Sequence, residues 1–531
     1  MAPIPARRSR LVARLLATGL LTGGLLTAVA QQPEPEANAA PRPGHHTTYY
    51  VDPAGSDEAS GTSPKAAWQS LDKVNSQVFA PGDTVRFRRG GSWTGQLAPQ
   101  GSGTDGRPVT FTSYGHGRGK PVIDGAGAVD SAVRLADLHD VTLDGLDVTN
   151  TANSGVYRSG VHIYAKDSGA LPGITLRNLR VHDVDGPSGD HVDIGHGGIV
   201  VTVRGNATPT YFQNMRIEDN EIADVHAYGI VTWSTWMRRD GWTKLWRETG
   251  VPESETGAFT PSTGLTIRGN HVHDIGNGGI SPNQVRDTLI EHNTVTRTSM
   301  QHYNAGIWWS GADNTVVQFN DVAEAAYNGE HKDSVAFDAD ESTYGSLVQY
   351  NFSRENGGGF FMTCSAAQAP VANAVVRYNV SQYDSGSPFL FICKGAKSVD
   401  IYNNTVLTRP GSAEKPLHQM VFTAPNNSGI TFRNNIFVNP AGASYASSGT
   451  SYDHNLYFGG PVPSDASALA ADPLLRHPGT ARGLHDLWGY RLGKDSPARG
   501  TGVVIADNGG RDVLGTRLPD GAPDYGAVQH R

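Results

Sequence analysis

From residue 174 onward the chain repeats one short alternation of apolar and polar positions: "ITLRNLRVHDV", "MRIEDNEIADV", "LTIRGNHVHDI", "TLIEHNTVTRT", "TVVQFNDVAEA", "SLVQYNFSREN", "AVVRYNVSQYD", "VDIYNNTVLTR" and "ITFRNNIFVNP". Each unit reads as a strand of three to five residues, an asparagine, and a second short strand. The asparagines fall at 178, 220, 270, 293, 320, 351, 379, 404 and 435, most of them 23 to 31 residues apart, with two longer gaps of 42 and 50. Short strands at that period, with no helical periodicity between them, predict a coiled β-solenoid rather than a sandwich. Asparagines in equivalent turns then bond from coil to coil, which explains their recurrence without chemistry.

A third strand follows each pair: "GGIVV", "YGIVT", "GGISP", "AGIWW", "AFDAD", "GGFFM" and "PFLFI". Side chains alternate along a strand, so the apolar residue after the glycine points inward, at Ile199, Ile230, Ile280, Ile307 and Phe360. Phe337 takes that phase in its own strand. Asp338 and Asp340 then face out, in a column with Val231 and Trp233, Ser281 and Asn283, Trp308 and Ser310, and, on the following coil, Phe361 and Thr363. Cys364 and Cys393 share a phase on adjacent coils about 4.8 Å apart, within reach of a disulfide; two small buried thiols are the other reading. Two insertions, 234–263 and 409–428, interrupt the coils. The first carries Trp236, Trp242 and Trp246, suited either to sugar rings or to packing on the coil wall.

With these repeats the chain resembles bacterial right-handed parallel β-helix proteins of the pectate-lyase-like superfamily, largely carbohydrate-active enzymes. The resemblance implies an all-β fold: a right-handed parallel β-helix with an N-terminal capping helix and loop insertions. "YYVDPAGSDEASGTSPKAAWQSLDKVN" looks like the group's entry segment and "DVLGTRLPDGAPDYGAVQ" like its terminal strand. The expected organisation is a removed segment over 1–40 and one β-helix domain over 41–531. Its cap and first coils span 41–130, its main coils 131–460 and its C-terminal coils 461–531.

Composition narrows the setting. Residues 1–40 show a basic start, the sixteen-residue apolar stretch "LLATGLLTGGLLTAVA" and small residues for cleavage, the pattern of a signal peptide; Arg7 and Arg8 raise the twin-arginine route. Removing them takes four arginines and two glutamates from a chain of net charge −8 and leaves about −10. A secreted monomer is expected, with no membrane association after processing and no nucleic-acid partner.

The chemistry concentrates in "GEHKDSVAFDADE", residues 329–341. Asp338 and Asp340, two residues apart on one face, lie roughly 6.6–7 Å from each other along the backbone. Carboxyl separations of about 6.5–9.5 Å suit an inverting glycosidase and about 5–5.5 Å a retaining one. Asp333, entering from the turn, is the third catalytic candidate. Trp308, Trp233, Asn283, His226, His302, His331, Lys332, Glu330 and Glu355 are the expected substrate contacts. The leading expectation is a secreted glycoside hydrolase that needs no cofactor and acts on a plant or microbial polysaccharide or oligosaccharide.

The alternative is a polysaccharide lyase or epimerase, with calcium on Asp333, Asp338 and Asp340 and Lys332 as base. The resemblance implies a pattern like "DDGFD" for such a lyase. "DSVAFD" keeps only Phe337 and Asp338 of its last part. A non-catalytic glycan-binding solenoid is the remaining reading. "DHVDIGHGG" adds His191, Asp193 and His196 as weaker candidates for a metal or a subsite.

Overall fold

The computed structural model describes residues 46–152, 155–187, 195–239, 251–327, 333–365, 369–411 and 417–530. Strand pairing is parallel, and successive segments of the chain feed three long sheets in turn. The first sheet, of 15 strands, runs from Thr48–Val51 to Thr450–Asp453. The second, of 14, runs from Ser92–Thr94 to Leu469–Ala470. The third, of 11, runs from Ser131–Ala136 to Ser444–Tyr445. This is a parallel β-helix. One five-residue α-helix, Leu71–Asn75, precedes the second strand of the first sheet; Ser70 caps it, and Leu71 and Val74 join the core.

The core is a stack of inward columns. In the third sheet Ile199, Ile230, Ile280, Ile307, Phe337, Phe361 and Phe389 lie in register, each fully buried. The glycine before the inward residue has a steric cause. A Cβ on Gly229 would lie 2.6 Å from Val272 Cγ1 of the second sheet, and one on Gly306 would lie 2.4 Å from Val322 Cγ1. Beyond Gly306 the sizes exchange. The glycine position becomes Ala336 and then Phe360, while the Val322 position becomes Ser353 and then Ser381.

This exchange corrects the sequence expectation for one coil. Phe360 fills the glycine slot, so Phe361 and Thr363, expected outside, pair with Phe337 and Ala339 and face the core. Met362 and Cys364 take the outward places, opposite Asp338 and Asp340. Cys364 is bonded to Cys393, with Cα atoms 4.6 Å apart.

The turns between the first and second sheets carry a buried amide ladder through Asn220, Asn270, Asn293, Asn320, Asn351, Asn379, Asn404, Asn435 and Asn455. At each step the backbone N–H and the Nδ2 of one asparagine donate to the Oδ1 of the next, as at Asn320 to Asn351, 2.9 and 3.0 Å. The remaining Nδ2 proton reaches a backbone carbonyl, as from Asn351 to Val317 at 2.9 Å. Asp465 accepts from Asn455 at one end. At the other, Leu179 N donates to Asn220. Asn178, expected in the ladder, stands one place too early, with a left-handed backbone and its amide on Asp144. The tail after residue 511 forms no strand, contrary to the expected terminal strand. It lies along the outside of the coils, with Asn403 donating to Asp524 O and Ala527 N to Thr405 Oγ1.

Each ladder asparagine satisfies donors and acceptors that no water reaches. Asn351→Ala should therefore cost about 2–4 kcal/mol, well above a surface amide deletion. A reduced denaturation midpoint by circular dichroism checks this; an unchanged midpoint contradicts the ladder's role.

Candidate functional site

The acidic sequence forms the strand Val335–Asp340 of the third sheet. Phe337 and Ala339 enter the core, and Asp338 stands between Trp308 and Met362 on the outer face. The expected orientation is observed, but not the expected open wall: Asp338 is only 6% exposed, because both in-register neighbours are large. Asp340 and Asp333 are half-buried. Asp338 Oδ1 is buried with no hydrogen-bond partner among the described residues. Its carboxyl is pushed well above the ordinary range, first by burial, then by Asp340 and then by Asp333. Two carboxylates close enough to oppose its ionisation put all three groups in one place.

Around them the outer face is partly apolar. Ala305, Val335, Met362 and Leu390 form a cluster against which Trp308, Ile392 and Phe422 pack. On its other side Trp308 meets Val200, Tyr228 and Val231. The Tyr228 phenol is pushed up to about 12, chiefly by burial. Asn304 donates to Asn277 Oδ1 at 2.8 Å and lies 3.5 Å from the Tyr228 oxygen. Trp308 Nε1 and Ser281 Oγ, in the same column as Asp338, are buried without hydrogen-bond partners among the described residues. The sequence reading missed Tyr228. Its signal was available: a tyrosine in the glycine-preceding corner position of "YGIVT".

The described ends of the first insertion, 234–239 and 251–263, pack beside this face. Trp233 packs with Met237, Val251 and Ala369, which joins the start of the insertion to the segment after Cys364. Arg239 pairs with Asp313 at 2.7 Å, donates to Ser342 Oγ at 2.6 Å, and covers Phe259 at 4.1 Å. Trp236 is buried in the main core, the packing alternative for this insertion.

Two expected substrate contacts are therefore structural. Trp233 is 2% exposed, beneath Arg204 at 4.5 Å. Asn283 is 1% exposed, its Nδ2 on Ser281 O and its Oδ1 accepting from Ser310 Oγ at 2.6 Å. Both lost their expected role because a column that faces outward can still be covered.

Other candidates scatter. His226 lies 3.6 Å from Asp185 in a separate cleft of about 430 Å³ lined also by Asp183, Asp224 and Asp274. The His302 ring lies 4.0 Å from that of Tyr303, tilted by 44°, and its backbone N–H donates to Gly276 O. Glu355 pairs with Arg409 at 3.1 Å. His196 is fully buried, its Nε2 donating to Pro187 O at 3.0 Å, so it lines no open subsite. Glu330, His331, Lys332, His191, Asp193, Trp242, Trp246 and residues 1–40 lie outside the described residues, as do 412–416 of the second insertion. Among the described residues no group of three or more His, Cys, Asp or Glu is disposed to hold a metal ion.

Comparison with known proteins gives three findings. No family model matches the chain. The lacto-N-biosidase of Bifidobacterium longum is 28% identical over 601 aligned positions, covering 91% of this chain and 36% of that protein. The chain thus spans about a third of the length of that relative. Among solved structures, the GH136 lacto-N-biosidase of Eubacterium ramulus matches with a TM-score of 0.57 at 24% identity, covering 77% of this chain and 68% of that one. XylC in complex with xylose matches with a TM-score of 0.55 at 14% identity, covering 91% and 98%. These two likenesses establish the fold.

A carboxyl whose folded pKa is raised contributes stability that is complete below its unfolded pKa and is lost as pH rises through the folded value. Asp338→Asn should therefore raise the unfolding temperature at about pH 7, by a few degrees, and lose most of that gain by about pH 4, where the folded wild-type carboxyl is protonated and the unfolded one is about half protonated. Thermal scans across this range read the effect. A gain undiminished at about pH 4, or none at about pH 7, removes the claim that Asp338 is held protonated.

Proposed function

We propose that the protein is an exported glycoside hydrolase that cleaves a glycan on the outer face of the third sheet. The observation that carries this is the convergence of three aspartates beside Trp308, one of them pushed toward its neutral form by burial first and then by the other two. The lacto-N-biosidase relative, aligned over most of this chain, supports the same reading and makes lacto-N-biosidase substrates the first to assay. The basic, apolar, small-residue order of residues 1–40 supports export.

The aspartates divide by exposure. A residue that protonates a glycosidic oxygen, or attacks or activates water at the anomeric carbon, must present an oxygen to the sugar. Asp340 and Asp333 are the partly exposed members, although Asp340 Oδ1 is itself covered; Asp338 lies behind, between Trp308 and Met362. Asp340 and Asp333 therefore act as the pair on the scissile bond. Asp338 sets the charge around them: while it is neutral, Asp340 meets less repulsion and ionises more readily.

Asp340→Asn and Asp333→Asn should each lower kcat by roughly 10²–10⁴ with little change in KM. Asp338→Asn should cost less than either. Reducing-end release and single-turnover rates make the comparison. Near wild-type activity in both of the first two variants overturns the site; an ultraviolet-absorbing unsaturated product overturns the hydrolase in favour of a lyase.

A further inference from the structure

The outer face of the third sheet carries a second group of residues several coils before the aspartates. On Ser131–Ala136, Ser159–Lys166 and Gly197–Arg204 the inward positions are Val133, Leu135, Val161, Ile163, Ala165, Ile199, Val201 and Val203, all in the core. The alternate positions therefore face outward: Arg134 beside His162, Tyr164 beside Thr202, and Lys166 beside Arg204.

Three cations thus stand on this face of a chain whose net charge is −8, with Asp137, which accepts from Lys166 N, and Asp167 at its Lys166 end. The Arg134 guanidinium lies 4.9 Å over the Tyr164 ring and forms no ion pair among the described residues. The Arg204 guanidinium lies 4.5 Å over Trp233. Between them His162 bonds Thr202 Oγ1 at 3.1 Å, and its imidazole is pushed down to about 4, by burial first and then by Arg134 and Arg204. Both guanidinium groups therefore act on one neutral ring. Repulsion of this kind is tolerated at a site that receives an anion, and arginine's planar fork suits a carboxylate or sulfate while a tyrosine face suits the sugar that bears it.

We propose that Arg134, Arg204 and Lys166, with Tyr164, form a binding site for an anionic sugar, a uronate or a sulfated residue, on the same face as the aspartates. In register, Tyr164 stands five coils from Asp340, roughly 24 Å at about 4.8 Å per coil. Binding here requires no turnover, so the site stands or falls independently of the hydrolase reading.

The test is calorimetric titration of the full chain with trigalacturonate, with a sulfated disaccharide, and with neutral cellotriose. Wild type should bind at least one anionic probe about tenfold or more tighter than cellotriose, and which one identifies the anion. That preference should weaken with added salt, a readout that needs no variant. Arg134→Ala should abolish it and Arg134→Lys restore only part, with unchanged circular dichroism. Equal binding of charged and neutral probes, no binding of either anion, or a salt-insensitive preference overturns the proposal, as does full retention in Arg134→Ala.

Discussion

The fold depends on the register between coils. Each strand makes its hydrogen bonds only to the strands of the coils before and after it, so a slip of one residue would invert every side chain of that strand. The buried asparagine ladder is what prohibits the slip. Each ladder amide is satisfied only when its neighbour stands at the same turn position, and a displaced coil would leave N–H and C=O groups unpaired in a dry interior. With the register locked, Asp338 must face outward and Phe337 inward. A slip would turn Asp338 and Asp340 into the core.

That constraint carries a cost at the acidic strand, where Asp338 is enclosed and crowded by Asp340 and Asp333. The covalent link lies beside the costliest position. Cys364 pairs in register with Asp340 and is bonded to Cys393 on the next coil, with 29 residues of separation. Closing a loop of that length restricts the unfolded chain by roughly 3–4 kcal/mol in the chain-entropy model. The ladder and the disulfide hold the strand from its two sides, one through the turns and one on the outer face.

The sequence revealed whatever depended on period, and it failed where side-chain volume decided. Spacing and alternation gave the coils, the inward column from Ile199 to Phe337, and the outward facing of Asp338 and Asp340. They could not give Phe360, because its placement depends on Ser353 and Ser381, some seven residues before it and twenty-one after. Period alone also could not tell an outward residue from an exposed one. Trp233 and Asn283 face outward and are nonetheless covered, by the insertion and by Ser310 respectively. Asn178 shows the remaining weakness: one asparagine too early looks like the ladder until the register is known.

Two buried aspartates show how structure separates a supporting carboxylate from a reactive one. Asp384 is 3% exposed and its pKa is raised to about 6 by burial, yet it accepts from Ser353 Oγ at 2.5 Å, Ser381 Oγ at 2.7 Å, Asn356 N at 3.0 Å and Asn356 Nδ2 at 2.8 Å. Those four donors hold it where the second sheet turns toward the third. Asp338 is nearly as enclosed, but no hydrogen-bond donor among the described residues offsets its desolvation, and the two charges acting on it are carboxylates. Folding alone would favour an apolar residue at 338, as it favours Val231 in the same column. A carboxyl kept there with no donor among the described residues, next to two more exposed carboxyls, is the arrangement that the proposed division of roles requires.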